Sequence, residues 1–232
     1  MKLTFVIPVY NAAAWIHPAV DSCLKQTHQD IEVVIVNDGS TDSTPKYLGW
    51  LAAKADPRIK IINTPNQGRS VARNTGNIAA AGDVICVLDS DDLSYPKRAE
   101  IVAREFAKGT QFLFGSAAII DAVGTIRGEE VAEAFKLGTA METKLNRIVH
   151  STVAYTKAIA MAHPYRGGEI ADLGIDDWAF QLEVATSGVE LKHTVSPLAV
   201  YRILRTGISQ TRDQKKVEEA KSRFMETLKV AA

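Results

Sequence analysis

The chain has 232 residues, 46% of them hydrophobic and 23% charged, enough to bury a core as one globular domain of ordinary composition. Lys plus Arg and Asp plus Glu both number 27, so the formal net charge of zero excludes an overall basic field that would draw nucleic acid or an anionic membrane. No apolar run approaches the roughly 18 residues needed to span a bilayer, and the short apolar stretch ended by Pro8 is no signal h-region, so cytoplasmic residence is expected.

Leu3 to Val9 reads as a strand, followed by a helix to about Gln26 in which Pro18 marks a start or kink. Ile31 to Val36, rich in β-branched residues, is a second strand. Thr41-Asp42-Ser43-Thr44-Pro45 suits a helix N-terminus, with the helix running to about Ala55. Arg58 to Asn63 is a third strand, Arg69 to Ala81 a small-residue helix stopped by Gly82, and Val84 to Leu88 a fourth strand. Such alternation predicts an α/β domain with a mostly parallel central sheet flanked by helices.

The second half is less regular. Strands are expected near Gln111 to Ser116, Val189 to Thr194 and Leu198 to Ile203, and helices near Glu129 to Phe135, Met141 to Ile148 and from Asp176. Residues 213–232 read as a terminal helix with Val217, Phe224 and Leu228 on one face, docked on its own domain. A main domain of residues 1–212 then divides into a regular half, 1–110, and a less regular half, 111–212. Cys23 and Cys86 read as buried, unpaired thiols.

Asp89-Ser90-Asp91 closes the fourth strand. Residues i and i+2 of an extended chain share a side, so both carboxylates can reach one hard cation, Mg²⁺ or Mn²⁺, that leaves its other positions to water and substrate phosphates. The bland alternative is a solvated turn continued by Asp92. Ligands of open α/β sheets bind outside the carboxyl ends of the strands, where Tyr10-Asn11, Asn37-Asp38-Gly39, Asn66-Gln67-Gly68-Arg69 and Asp89-Ser90-Asp91 converge. The chain contains no Gly-x-x-x-x-Gly-Lys-Ser/Thr loop, and no Gly-x-Gly-x-x-Gly follows a strand.

Phe5-Val6-Ile7-Pro8-Val9-Tyr10-Asn11, Val36 to Asp42, Asn66 to Asn74 and Leu88 to Asp92, in that order and spacing, closely resemble the family 2 inverting glycosyltransferases with the A-type nucleotide-sugar-binding fold. Gly174-Ile175-Asp176-Asp177-Trp178 resembles the family's paired acidic motif, and Tyr201-Arg202 with Ser209 its late Tyr-Arg segment. The resemblance implies that Pro8, Val9, Tyr10 and Asn11 wall the nucleotide pocket, with Asp38 beside Gly39 accepting a hydrogen bond from the base, most often uracil. An ionised carboxylate is acceptor-only, as that contact requires; the alternative role for Asp38 is an Asx-turn.

Arg69 and Arg73 share a helical face; Arg69 is favoured for the ligand, Arg73 for it or for a structural ion pair, and Asn74 fits either role. The resemblance further implies that Asp91 binds the metal, while Asp89, next to Ser90, contacts ribose or reaches the ion through water. Adjacent helical side chains diverge by about 100°, so one of Asp176 and Asp177 faces the crevice; the residues alone do not choose, and the family match puts the general base on Asp177. The implied reaction is a single in-line displacement with inversion, leaving-group departure leading.

One departure from the family is the His that often follows Tyr-Arg: here Ile203-Leu204-Arg205 follows, so either metal binding is looser or Arg205 supplies charge to the diphosphate. His150-Ser151 and Arg166-Gly167-Gly168-Glu169 fall on the acceptor side; His150 reads as structural rather than catalytic, Gly167-Gly168 as a turn, and Trp178 as core or a sugar-stacking face. The competing functions are a sugar nucleotidylyltransferase, which would want a Gly-rich loop where Val9-Tyr10-Asn11-Ala12-Ala13 stands, and a non-catalytic nucleotide-sugar-binding or partner subunit. The expected partners are a nucleotide-sugar donor and an acceptor that is saccharide, protein, small molecule or modified nucleobase, with a homo-oligomer left open.

Overall fold

The computed structural model describes residues 1–204 and 211–230. Its first half is an alternation of strand and helix: β1 Leu3–Val9, α1 Ile16–Leu24, β2 Ile31–Asp38, α2 Thr44–Ala53, β3 Ile59–Thr64, α3 Arg69–Ala79 and β4 Val84–Val87. These four strands pair in parallel in the order β3-β2-β1-β4. β1, β2 and β4 are buried on both sides because both sides are covered, whereas the edge strand β3 leaves Lys60 exposed. On β1, Leu3, Phe5, Ile7 and Val9 join Ile16, Val20, Leu48 and Val102 in one core, while Val6 points into the opposite one with Ile85 and Val87. The period-two alternation of a strand sorts one segment into two cores.

Helix α3 lies unusually close to this sheet. A Cβ added to Gly76 would stand 2.4 Å from Cγ1 of Val6 and 3.4 Å from Cγ2 of Val36, so the contact exists only because residue 76 has no side chain. That approach brings the first turn of α3 over the carboxyl ends of β1, β2 and β4.

The second half contains β5 Leu93–Ser94, α4 Arg98–Phe106, β6 Phe112–Ile120, β7 Ile126–Glu130, α5 Leu137–Thr143, a 3₁₀ turn His150–Thr152 and β8 Ala154–Thr156. There follow α6 Lys157–Ala162, α7 Glu169–Asp172, α8 Asp176–Thr186, β9 Leu191–Arg202 and a terminal helix Gln214–Val230, here α9. The sheet continues through β8, antiparallel to β4, then β6, β9 and β5, with β7 hydrogen-bonded to β6 off that path. The result is the expected α/β fold: one curled sheet, parallel through its first four strands, with helices on its faces.

Local propensity misplaces several second-half elements. The expected helix at Glu129 to Phe135 is the strand β7 followed by irregular chain, because Ala117–Ile120 of β6 offers an open edge that tertiary pairing fills against local preference. The helix expected over Met141 to Ile148 spans Leu137–Thr143 and stops where Lys144 turns left-handed, φ 53°. The two late strands are one, β9, whose register against β6 shifts between Gly115 and Ala117. Helix α4 is unanticipated. The terminal helix buries Phe224 and Met225 against α8, and Val217 and Ala220 against Ile170, Leu173 and Ile175 of α7 and the turn after it; both cysteines are free and buried.

Candidate functional site

A cleft of about 1130 Å³ opens at the carboxyl ends of the parallel strands, between them and the elements of the second half. Pro8, Val9, Tyr10, Asp38, Arg69, Asp89, Ser90, Asp91, Asp176 and Asp177 all line it. Asn11, Gly39 and Asn74 do not. Asn11, left-handed at φ 49°, laces two loops: its side-chain oxygen accepts from the Thr41 N–H at 2.8 Å, and its own N–H donates to Ser40 Oγ at 3.0 Å. Gly39, at φ 70°, sits where a Cβ would meet the Asn66 nitrogen at 2.6 Å. Asn74 spends its amide on the Tyr165 backbone, donating at 3.0 Å and accepting at 2.9 Å, which is the structural of its two expected roles.

Asp38 is 3% exposed and accepts from the N–H groups of Gln67 and Gly68, both at 2.8 Å. It holds the loop before α3 in place, and each oxygen retains a second lone pair. The Asx-type contact belongs to its neighbour instead, since Asn37 Oδ1 accepts from the Ser40 N–H at 3.2 Å.

Two arginines and two aspartates are wired together in the wall of the cleft. Arg73, 4% exposed, bridges Asp89 at 2.6 Å and Asp176. Arg69 Nε pairs with Asp176 at 3.0 Å, and its Nη2 donates to the Ala171 carbonyl at 2.7 Å. Asp176 is thus fully engaged by cations at 1% exposure, whereas Asp177 meets no ion pair among the described residues and accepts from Asn146 Nδ2 at 2.8 Å. Burial, then the charge of Asp176, pushes the Asp177 carboxyl up to about 6. Both line the cleft, but the divergence of adjacent helical residues leaves Asp176 tied to two guanidinium groups and Asp177 without an ion-pair partner among the described residues.

Burial raises the Asp89 carboxyl and the Arg73 guanidinium lowers it; Arg73 prevails, so Asp89 stays below its usual range. Asp91 has no such partner: burial and then Asp89 raise it to about 6. An anionic pair with one member unpaired suits a divalent cation. No group of three or more His, Cys, Asp or Glu among the described residues is placed to hold a metal; the two carboxylates alone match the protein donors of an ion that water and phosphate complete. Asp91 with Asp89 would hold it.

Asp92 is no solvated turn residue. It is 1% exposed, accepts from Ser151 Oγ and from the Arg202 N–H at 2.7 Å, and is driven above its usual range by burial and by Asp91. It pins the acidic loop to the 3₁₀ turn and to β9. Arg202 adds a second fastening, Nε to the Asp91 carbonyl at 2.9 Å, with its guanidinium 4.5 Å from the Trp15 ring centroid. Arg205 and Ser209 lie outside the described residues.

His150 is 6% exposed, contacts the Tyr165 hydroxyl through Nε2 at 3.0 Å, and is pushed down to about 3 by burial and then by Arg73, so it is neutral. Trp178 is 2% exposed and packs on Phe224, centroids 5.7 Å apart, within the helix interface. Gly168, at φ 59°, makes the turn before α7. Sequence reasoning overlooked Asn146, Lys221 and the structural part of Asp92. Only Asp92 carried a signal, as a third carboxylate at a strand end.

The glycosyl transferase family 2 model matches residues 4–161. EpsH of Bacillus subtilis (strain 168) is 30% identical over 237 residues, covering 97% of this chain and 67% of its own. The chain spans a third or less of the length of the first curated relatives it matches. Among solved structures, S. aureus TarS 1–349 in complex with UDP-GlcNAc superposes with a TM-score of 0.79 at 17% identity, over 98% of this chain and 66% of that one. The mannosyltransferase PcManGT from Pyrobaculum calidifontis, in complex with GDP-Man and Mn²⁺, gives 0.62 at 19% identity, over 89% and 58%. At these identities the structural likeness speaks for the fold.

Proposed function

The chain belongs to glycosyl transferase family 2 and has the A-type glycosyltransferase fold, and from that we propose that it moves a sugar from a UDP-sugar to an acceptor hydroxyl with inversion, using Mn²⁺ or Mg²⁺. The observation carrying this reading is that Asp38, the Asp89–Asp91 pair and Asp177, drawn from two strand ends and a helix start, all line one cleft. Asp38 receives the base, Pro8, Val9 and Tyr10 wall it, and Arg69 lies toward the diphosphate. Asp91 and Asp89 would hold the divalent ion, which when bound would supply positive charge to the diphosphate leaving group.

Asp177 takes the acceptor proton. Its elevated pKa makes it a better base than an ordinary aspartate while leaving it mostly ionised at neutral pH. Residues 1–212 form the catalytic domain, residues 1–110 binding the donor and 111–212 the acceptor, and the reaction is cytoplasmic; no helix among the described residues is long and apolar enough to cross a membrane.

The test is nucleoside diphosphate release from UDP-GlcNAc, UDP-glucose and GDP-mannose with Mn²⁺, Mg²⁺ or chelator, first with water and then with saccharide, peptide, small-molecule and modified-nucleobase acceptors. Metal-dependent release from a UDP-sugar, lost in Asp91→Ala and in Asp177→Asn, is expected. Full activity in chelator defeats the metal assignment, and binding without turnover for every donor makes the chain a non-catalytic binding subunit.

A further inference from the structure

Asp177 does not stand alone at the mouth of α8. Its Oδ1 accepts from the Trp178 N–H and its Oδ2 from Asn146 Nδ2, both at 2.8 Å. Asn146 sits in the exposed loop after α5 and is itself oriented, its Oδ1 accepting from the Ile148 N–H at 3.1 Å. An exposed loop is a poor support for a catalytic contact unless something ties it down.

The terminal helix supplies that tie. Lys221 Nζ donates to the Lys144 carbonyl at 2.6 Å, and Lys144 Nζ donates in return to Ser222 Oγ at 2.8 Å. Lys221 is 6% exposed and lies 5.3 Å from the Trp178 ring centroid, so its ammonium is confined between α8 and the loop. The carbonyl it holds belongs to the left-handed residue that ends α5, two positions before Asn146. Beneath it, Phe224 and Met225 seat the helix on Trp178, Ala179 and Leu182.

We propose that Asn146 is a positioning residue for Asp177, and that α9 sets its placement through the reciprocal Lys221–Lys144 and Lys144–Ser222 contacts. The inference rests on Asp177 serving as the base. Asn146 leaves one lone pair of Oδ2 for an acceptor hydroxyl while fixing the rotation of the carboxylate. The charged groups facing Asp177 are Asp176 on its own helix, Arg69 and Arg73 on α3, and Lys221 on α9; Asn146 adds an uncharged donor from the remaining side.

The experiment uses the full chain, UDP-GlcNAc and Mn²⁺, measuring UDP release. Asn146→Ala should lower kcat about tenfold with donor KM within about twofold, and raise the acid limb of the pH profile by about one unit, since a donor to the charged form is lost. Asn146→Gln, which retains an amide donor, should recover part of the loss. Lys221→Met should lower kcat to a similar extent, and the double variant should be little worse than either single one, because both act through one contact. If Lys221→Met does not fold, Ser222→Ala tests the same strap.

Unchanged or increased kcat in Asn146→Ala, or additive losses in the double variant, would overturn the inference. If Asp177→Asn is inactive and Asn146→Ala is unimpaired, this inference alone fails. If Asp177→Asn keeps wild-type turnover, the assignment of the base fails first.

Discussion

Asp176 and Asp177 are adjacent, identical in type and opposite in environment, so replacing each by Asn should move stability in opposite directions. Asp176→Asn removes the anion that faces Arg69 and Arg73 at 1% exposure. Breaking a buried ion pair from one side costs about 3–5 kcal/mol; Arg73 keeps Asp89 as a partner, so about 3 kcal/mol is expected. Asp177 is the reverse case, because its carboxyl rises from 3.8 to about 6 on folding. A carboxyl with a raised folded value contributes stability below its unfolded value and loses it as pH climbs through the folded one.

At pH 7.5 both forms of the chain would prefer Asp177 ionised, but the folded one accommodates that charge worse, by at most about 3 kcal/mol for a gap of about two pH units. Asp177→Asn should therefore be neutral or stabilising at pH 7.5 while abolishing turnover, and its advantage should shrink toward pH 5. Urea unfolding at both pH values, followed by fluorescence of the three tryptophans, gives the comparison. An Asp176→Asn variant within about 1 kcal/mol of wild type, or an Asp177→Asn variant less stable than it, would refute the division of labour between the pair.

Donor hydrolysis should fall as pH drops through about 6, because Asp177 must be ionised and sits near that value; a rate that is flat from pH 5 to 8 contradicts it. Gly76→Ala should destabilise by about 1–3 kcal/mol through overpacking against Val6 and Val36, measured by urea unfolding, and an unchanged midpoint would show that α3 can lift from the sheet. Ser151→Ala removes the hydroxyl that donates to buried Asp92 and accepts from the Asp89 N–H. It should weaken Mn²⁺-dependent UDP binding in calorimetry with little change in fold, and undiminished binding would detach Ser151 from the acidic loop's placement.

The parallel half was legible because its information is local. Strands such as Ile31–Asp38 are buried on both sides, and each of the four parallel strands ends in a polar loop whose direction the crossover rule then fixes. The antiparallel half was not, since β7 exists only by pairing with β6, and β9 runs unbroken past Pro197 only because β6 shifts register to meet it. Of the site, the strand-end residues were readable as a group, yet Asn11 and Asn74 fell on the structural side, because amides near a cleft are as readily consumed by backbone groups as by ligand.

The amino-acid sequence by itself determined the α/β class, the family and the cluster of acidic loops at one sheet edge, because periodicity and motif spacing are carried within short segments. Tertiary structure decided which aspartate is free. Asp176 and Asp177 differ by one step of a helix, and only the packing of α3 against α8 puts two guanidinium groups on one and leaves the other to Asn146, held from a terminal helix some 75 residues farther along the chain.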